Sequence, residues 1–238
     1  MADCDYAVPG RFKAAGVFPL DDCFRPIYDE GAGYIDACPA AIDVSDNMDE
    51  GEAFTRRCSD GTILYYEDGE QSLQSVTVNL DLHQVPAEWM AQVGVVEAVM
   101  DGGEVIGWTR CTKASSNLLV AIWQEMKGGD ACDPEIGDTG GWRLHLFAIK
   151  NARLTLEGGI GAEDSYMRIT GNTPATAYLD SGPIPFLLDE LGEPTFPENC
   201  LKVCHHTVLD VGIAPPPDEC GIIDLEAPEE PCVPDTSS

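Results

Sequence analysis

The sequence predicts a mainly β protein with one short helix. Three observations carry that expectation. Glycine and proline number 24 and 17 in 238 residues, which interrupts the chain too often for long helices. Residues 74–83 alternate: Val76, Val78, Leu80 and Leu82 fall on one face, and Thr77, Asn79, Asp81 and His83 on the other. That is the period of a strand with one buried and one wet face. Residues 118–126 and 142–156 are apolar, branched runs without helix caps, the pattern of long central strands.

In chain order, residues 1–40 read as an N-terminal arm with the first, irregular strands, broken by Pro9, Pro19 and Pro26. Residues 41–180 read as the β-domain. Its opening acidic stretch, 43–52, is expected to be a solvated loop. Asp43, Ser45 and Asn47 mimic a calcium loop, but Met48 and Phe54 stand where that loop needs Gly and Glu, which excludes it. Ser59-Asp60-Gly61-Thr62 predicts a hairpin turn between 53–58 and 63–67, and Asp101-Gly102-Gly103 another between 95–100 and 105–110. Residues 86–93 are the best helix: Pro86 suits its start, Glu88 its first turn, and Gly94 its end. So short a helix needs Trp89 packed on a sheet to hold it. Residues 165–170 predict one more strand. Residues 181–238 hold ten of the 17 prolines and only one basic residue, Lys202. They read as a Pro-rich acidic segment that lies over a surface or joins a neighbour, anchored by Ile222, Ile223 and Leu225.

The charge excludes whole classes of function. Lys and Arg number 13 against 42 Asp and Glu, a formal net charge of −29. Such a chain repels phosphate and anionic lipid, so tight nucleic-acid or membrane-surface binding is not expected. No run of about 18 apolar residues is present to span a membrane. The acidic start, Met1-Ala2-Asp3-Cys4-Asp5, lacks the apolar run of a secretory signal, so the chain is expected to be made in a cytoplasm. Ten scattered cysteines fit a reducing compartment poorly. Assembly inside a cell with later service outside it reconciles the two.

No nucleophile elbow, phosphate loop, H-E-x-x-H or C-x-x-C is present, and no catalytic residue, cofactor or enzymatic activity is expected. Carboxylate pairs carry no information among 42 acids. Cys200, Cys204, His205 and His206 are weak metal candidates, because consecutive strand residues point to opposite faces. A disulfide involving one of these cysteines is an alternative. Trp89, Trp123 and Trp142 are expected to pack in the core or between subunits.

The order of pieces resembles a known family. Gly33-Tyr34-Ile35-Asp36-Ala37-Cys38-Pro39 leads through Ile42-Asp43-Val44 to Glu50-Gly51-Glu52. The strand-helix unit Val76-Thr77-Val78-Asn79-Leu80-Asp81-Leu82 to Pro86-Ala87-Glu88-Trp89-Met90 follows, then Asp101-Gly102-Gly103, two long strands, Ser165-Tyr166-Met167-Arg168-Ile169-Thr170-Gly171 and Ser181-Gly182-Pro183. Over residues 30–185 this resembles the major tail tube proteins of long, non-contractile-tailed phages, the siphovirus type, particularly of actinobacterial hosts. The resemblance implies a tail-tube-type β-sandwich or barrel with one flanking helix and extended N- and C-terminal arms. It implies hexameric rings, stacked helically into a virion tail tube, that meet tape-measure and tail-terminator proteins. The tube would be assembled in the host cytoplasm and would pass DNA at genome ejection without binding it specifically. On that reading Thr77, Asn79, Asp81, His83 and Glu125 are expected to face a negatively lined lumen. A phage capsid-decoration or receptor-binding protein is the alternative.

Overall fold

The computed structural model describes residues 8–37, 39, 41–51, 54–57, 63–67, 71–83, 85–94, 96–109, 115–127, 139–157, 166–174, 176–188, 191, 194–197, 200–211, 213–215, 221–229 and 232. The chain is mainly β with one short helix, and its strand pairs are antiparallel. Its elements are β1 (Val8–Leu20), β2 (Gly33–Asp36), β3 (Ala41–Glu50), β4 (Phe54–Arg57), β5 (Ile63–Glu67), β6 (Gln71–Leu82), α1 (Ala87–Gln92), β7 (Glu97–Asp101), β8 (Glu104–Thr109), β9 (Ser115–Lys127), β10 (Thr139–Glu157), β11 (Tyr166–Asn172), β12 (Ala177–Tyr178), β13 (Leu187–Leu188), β14 (Pro194–Thr195), β15 (Lys202–Val203), β16 (Thr207–Val211) and β17 (Gly221–Ile223).

One sheet dominates, in the order β17-β2-β1-β9-β10-β11-β6-β3, with β16 sharing the β10 edge. Along that edge β16 takes residues 142–146 of β10 and β11 takes 150–157. The sheet rolls on itself. Tyr34 Oη on β2 donates to the His83 carbonyl beyond β6 at 2.9 Å, and the His83 amide donates to Asp36 Oδ2 at 2.9 Å. Those two bonds bring together strands that lie near opposite ends of the sheet order. Asp36 is fully buried, and the amide bond is what a buried carboxylate needs.

Rolling gives the central strands two apolar faces. Inside lie Val17, Tyr34, Val76, Val78, Leu80, Leu82, Leu118, Val120, Phe147, Ile149 and Ile169, closed by Trp89 of α1. Outside lie Phe18, Leu119, Ala121, Trp123, Leu144, Leu146 and Ala148. This double burial explains why β9 and β10 read as unbroken apolar runs instead of alternating. The outer set is covered from 177–225, chiefly by Leu179, Phe186, Val203, Val211 and Leu225. The strands β1 and β2 from residues 1–40, and β16 and β17 from residues 181–238, belong to the same sheet as β6 and β9–β11.

The two predicted hairpins form: β4 pairs with β5, and β7 with β8. Gly102 and Gly103 have φ of 61° and 96°, the left-handed pair that a two-residue hairpin turn requires. The first turn, 59–62, lies outside the described residues. Two expectations change. The acidic stretch after Asp43 is not a loop but β3, paired with β6 from Ala41↔Asp81 to Glu50↔Gln71. Pairing with a buried neighbour overrides the weak strand propensity of Asp and Asn. Likewise, despite Pro9 and Pro19, β1 is a regular 13-residue strand between β2 and β9. Its irregularity is confined to shifts between Pro9 and Ala14. Gly171 is required by close approach, since a Cβ there would collide with the Ile149 side chain.

Candidate functional site

The wet face of β6 is a hydrogen-bonded ladder. Its odd-numbered residues stand opposite polar partners on β11: Thr77 faces Asn172, Asn79 faces Thr170, and Asp81 faces Arg168. Each pair is bonded. Thr77 Oγ1 donates to Asn172 Oδ1 at 2.8 Å and Thr170 Oγ1 donates to Asn79 Oδ1 at 2.9 Å. From β3, Asn47 Nδ2 donates to Ser75 Oγ and Thr77 Oγ1 at 2.9 and 2.8 Å. Arg168 grips Asp81 with a fork, Nε to Oδ1 at 2.7 Å and Nη2 to Oδ2 at 2.8 Å, and rests 5.3 Å from the Tyr166 ring centre. The Asp81 bond raises the Arg168 pKa above its ordinary value. Cross-strand pairs of this kind stabilise a sheet in its register.

The predicted row therefore exists as a row, with differences at its ends. Asp81 is buried and neutralised by Arg168, so it supplies no free negative charge. His83 is exposed, and its backbone closes the roll. Glu125 does not stand on a strand beside β6, because β10 and β11 intervene. It lies opposite Trp142, 3.7 Å from Lys13 Nζ, beside the covered part of the outer face. Sequence order alone gave no sign of that separation. Free acid near the row comes instead from the edge strand β3, where exposed Asp43 stands opposite Asn79, whereas Asp46, opposite buried Val76, lies on the other face toward His206.

Of the tryptophans, Trp89 and Trp123 are buried, and half-buried Trp142 packs on the outer cluster. Trp108, on β8, is exposed together with Val99, Met100 and Ile106 of the same hairpin.

The four metal candidates do not converge. Cys200 forms a disulfide with Cys232, Cα atoms 4.9 Å apart, and so offers no thiolate. Cys204 is an exposed free thiol. His205 Nδ1 lies 3.3 Å from Thr173 Oγ1, whereas His206 turns to His145. Among the described residues no group of three or more His, Cys, Asp or Glu is placed to hold a metal.

His145 is the residue that sequence reading missed, hidden in the apolar run of β10. Its Nδ1 lies 3.0 Å from His206 Nε2, and its Nε2 lies 3.1 Å from Gln124 Oε1. The ring planes differ by 14° with centres 5.2 Å apart. A nitrogen contact that short at that centre distance means the rings meet edge to edge. Phe147 stacks on His206 at 4.4 Å, and Phe12 sets its edge against His145. Burial, then His206 and Arg143, lower the His145 pKa to about 4, with Asp210 opposing. His206 is exposed, but the covered ring face lowers its pKa too, against Asp46.

Both histidines thus bind protons less well folded than unfolded. The stabilisation is complete above about pH 6.5 and declines below it, for His145 as pH falls toward 4. For His145 this amounts to roughly 1–2 kcal/mol once solvent screening of a half-buried ring is allowed for. Urea unfolding of the chain and of His145→Gln at pH 7.5 and 4.5 checks it. The variant is expected to lose less stability across that interval than the parent. Equal losses would remove the histidine pair from the explanation.

No protein-family model matches the chain, and no curated protein matches it. No helix among the described residues is long and apolar enough to cross a membrane.

Proposed function

We propose that this chain is a structural subunit of a phage tail tube, polymerising as stacked hexameric rings into a conduit that DNA traverses without adhering. The observation that carries this reading is the juxtaposition of a bonded polar ladder with an acidic edge strand. Among the described residues β3 ends the sheet order, and a long edge without a pairing strand is a liability unless a partner covers it. Val44, Met48 and Leu73 add exposed apolar surface on and beside that edge, as a subunit contact needs. The ladder of Thr77, Asn79, Thr170 and Asn172 is uncharged, its hydroxyls donating to its amide oxygens, so it offers a passing phosphate backbone no cation. A net charge of −29 keeps a polyanion from settling on such a wall.

Bringing copies this acidic together is repulsive, so salt or divalent cations should promote assembly by screening. The test is sedimentation of the purified chain across salt and Mg²⁺ concentrations, with negative-stain microscopy of the heavy fraction. Hollow rods that increase with salt are the expected result. A chain that stays monomeric at high concentration and salt refutes the reading, and closed trimers would point to the decoration-protein alternative.

A further inference from the structure

We propose that a cavity at the start of β1 receives the acidic, proline-containing strip that follows β17 of a second copy of this chain. The inference rests on the polymer reading above and names one of its contacts. The cavity has a volume of about 500 Å³ and is walled by Phe12, Trp142 and Pro39, with Arg11, Lys13 and Glu125 among its polar lining. Arg11 and Lys13 are exposed. Lys13 reaches Glu125 at 3.7 Å, and Arg11 has no ion pair among the described residues. Among the described residues that line it, two cations stand against one carboxylate on a chain of net charge −29.

The strip is its chemical complement. Glu226, Ala227 and Glu229 are exposed around half-buried Pro228, and no Lys or Arg occurs after Lys202. Proline favours the extended conformation that aromatic-lined grooves accept. Carboxylates opposite Arg and Lys supply orientation and association rate.

Strand direction decides between the chain's own strip and a neighbour's. Gly221 pairs with Ile35 and Ile222 with Tyr34, while Ile35 pairs with Gly16 and Tyr34 with Val17. β17 therefore runs in the same direction as β1, away from Lys13. The strip leaves beyond Val17, itself about 13 Å along β1 from Lys13 at strand rise, and is held there by Asp224 Oδ1 accepting from the Gly31 amide at 2.7 Å and by buried Leu225. Socket and strip thus lie at opposite ends of one strand direction. Complementary surfaces so placed join copies head to tail, as successive subunits of a stack require.

The experiment has two arms. A peptide of residues 224–231 is titrated into the chain and into the Arg11→Glu/Lys13→Glu variant, followed by calorimetry at low and moderate salt. Saturable binding, reduced about tenfold or more by the reversal at either salt concentration, is expected, a factor that corresponds to about 1.4 kcal/mol. No binding, or binding unchanged by the reversal, overturns the proposal. In the second arm, rods are counted for the same variant, for Glu226→Lys/Glu229→Lys, and for the two combined, with circular dichroism checking folding. Each reversal should reduce rods, and the combination should restore them. Rods unaffected by either reversal, or a combination that fails to restore them, sink the socket and leave the polymer reading standing. Peptide binding by a chain that never forms rods sinks the polymer reading and leaves the socket.

Discussion

Truncating the chain after Gly182 is expected to unfold the subunit, not merely to weaken its assembly. A purely external arm would give the opposite result, and the packing argues against that outcome. Phe186, Val203, Val211 and Leu225 are each at most 4% exposed and belong to the cluster that covers Phe18, Leu119, Trp123, Leu144 and Leu146. At about 1.5–3 kcal/mol per buried apolar side chain, these four alone account for roughly 6–12 kcal/mol. That is the size of a whole domain's stability. Truncation also removes β16 from the β10 edge, while the turn at the new end keeps the Gly182 carbonyl that accepts from Tyr28 Oη at 2.7 Å. Burial and Asp180 push the Tyr28 hydroxyl up to about 12, so it stays a donor. The Cys200–Cys232 bridge closes a separation of 32 residues and restrains the unfolded chain by about 3–4 kcal/mol on the loop-entropy account. Circular dichroism and thermal unfolding of the truncated chain decide the matter. A cooperative transition near that of the full chain would show that the segment is dispensable to the fold.

Replacing Trp89 by alanine should cost about 3–5 kcal/mol, the range for deleting a large aromatic from a core. Trp89 is fully buried, its ring 5.5 Å from that of Tyr34, and its Nε1–H donates to the Ala32 carbonyl at 2.9 Å. It therefore closes the inner cluster and satisfies a backbone group of the β1–β2 connection at the same time. A helix of six residues, Ala87–Gln92, cannot persist without that anchor. The β7–β8 hairpin packs against α1 and should loosen with it. Trp89→Phe keeps most of the volume but leaves the Ala32 carbonyl unpaired, a loss of about 1–3 kcal/mol. Urea denaturation of the three chains gives the ordering. A Trp89→Ala chain within about 1 kcal/mol of the parent would mean that α1 is peripheral, outside the range expected for a core aromatic.

The elements that sequence alone made legible share one property: their signal is local. The alternation of Val76, Val78, Leu80 and Leu82 with Thr77, Asn79 and Asp81 needs no partner to be read, and all four apolar residues are at most 2% exposed. Gly102-Gly103 demands left-handed backbone wherever it occurs, and Pro86 with Gly94 brackets a helix by backbone chemistry alone. Misread stretches were those whose state depends on a distant neighbour. β3 is a strand because β6 offers a ladder, and β1 is central because β9 and β2 flank it. The His145–His206 contact joins residues 61 apart in sequence, and no spacing rule links them.

The chain's own residues determined that it is a β protein, acidic, with one short helix and a strand of two opposed faces. Only the tertiary structure decided that the Pro-rich acidic segment covers a second apolar face, that Asp81 is neutralised by Arg168, and that Glu125 belongs to a different part of the surface from the polar row. The reason is physical. Periodicity reports which side of a strand avoids water, but strand order and roll decide what each side then meets. Those depend on pairings across the whole chain, such as Tyr34 and Asp36 closing on His83, that no local pattern encodes.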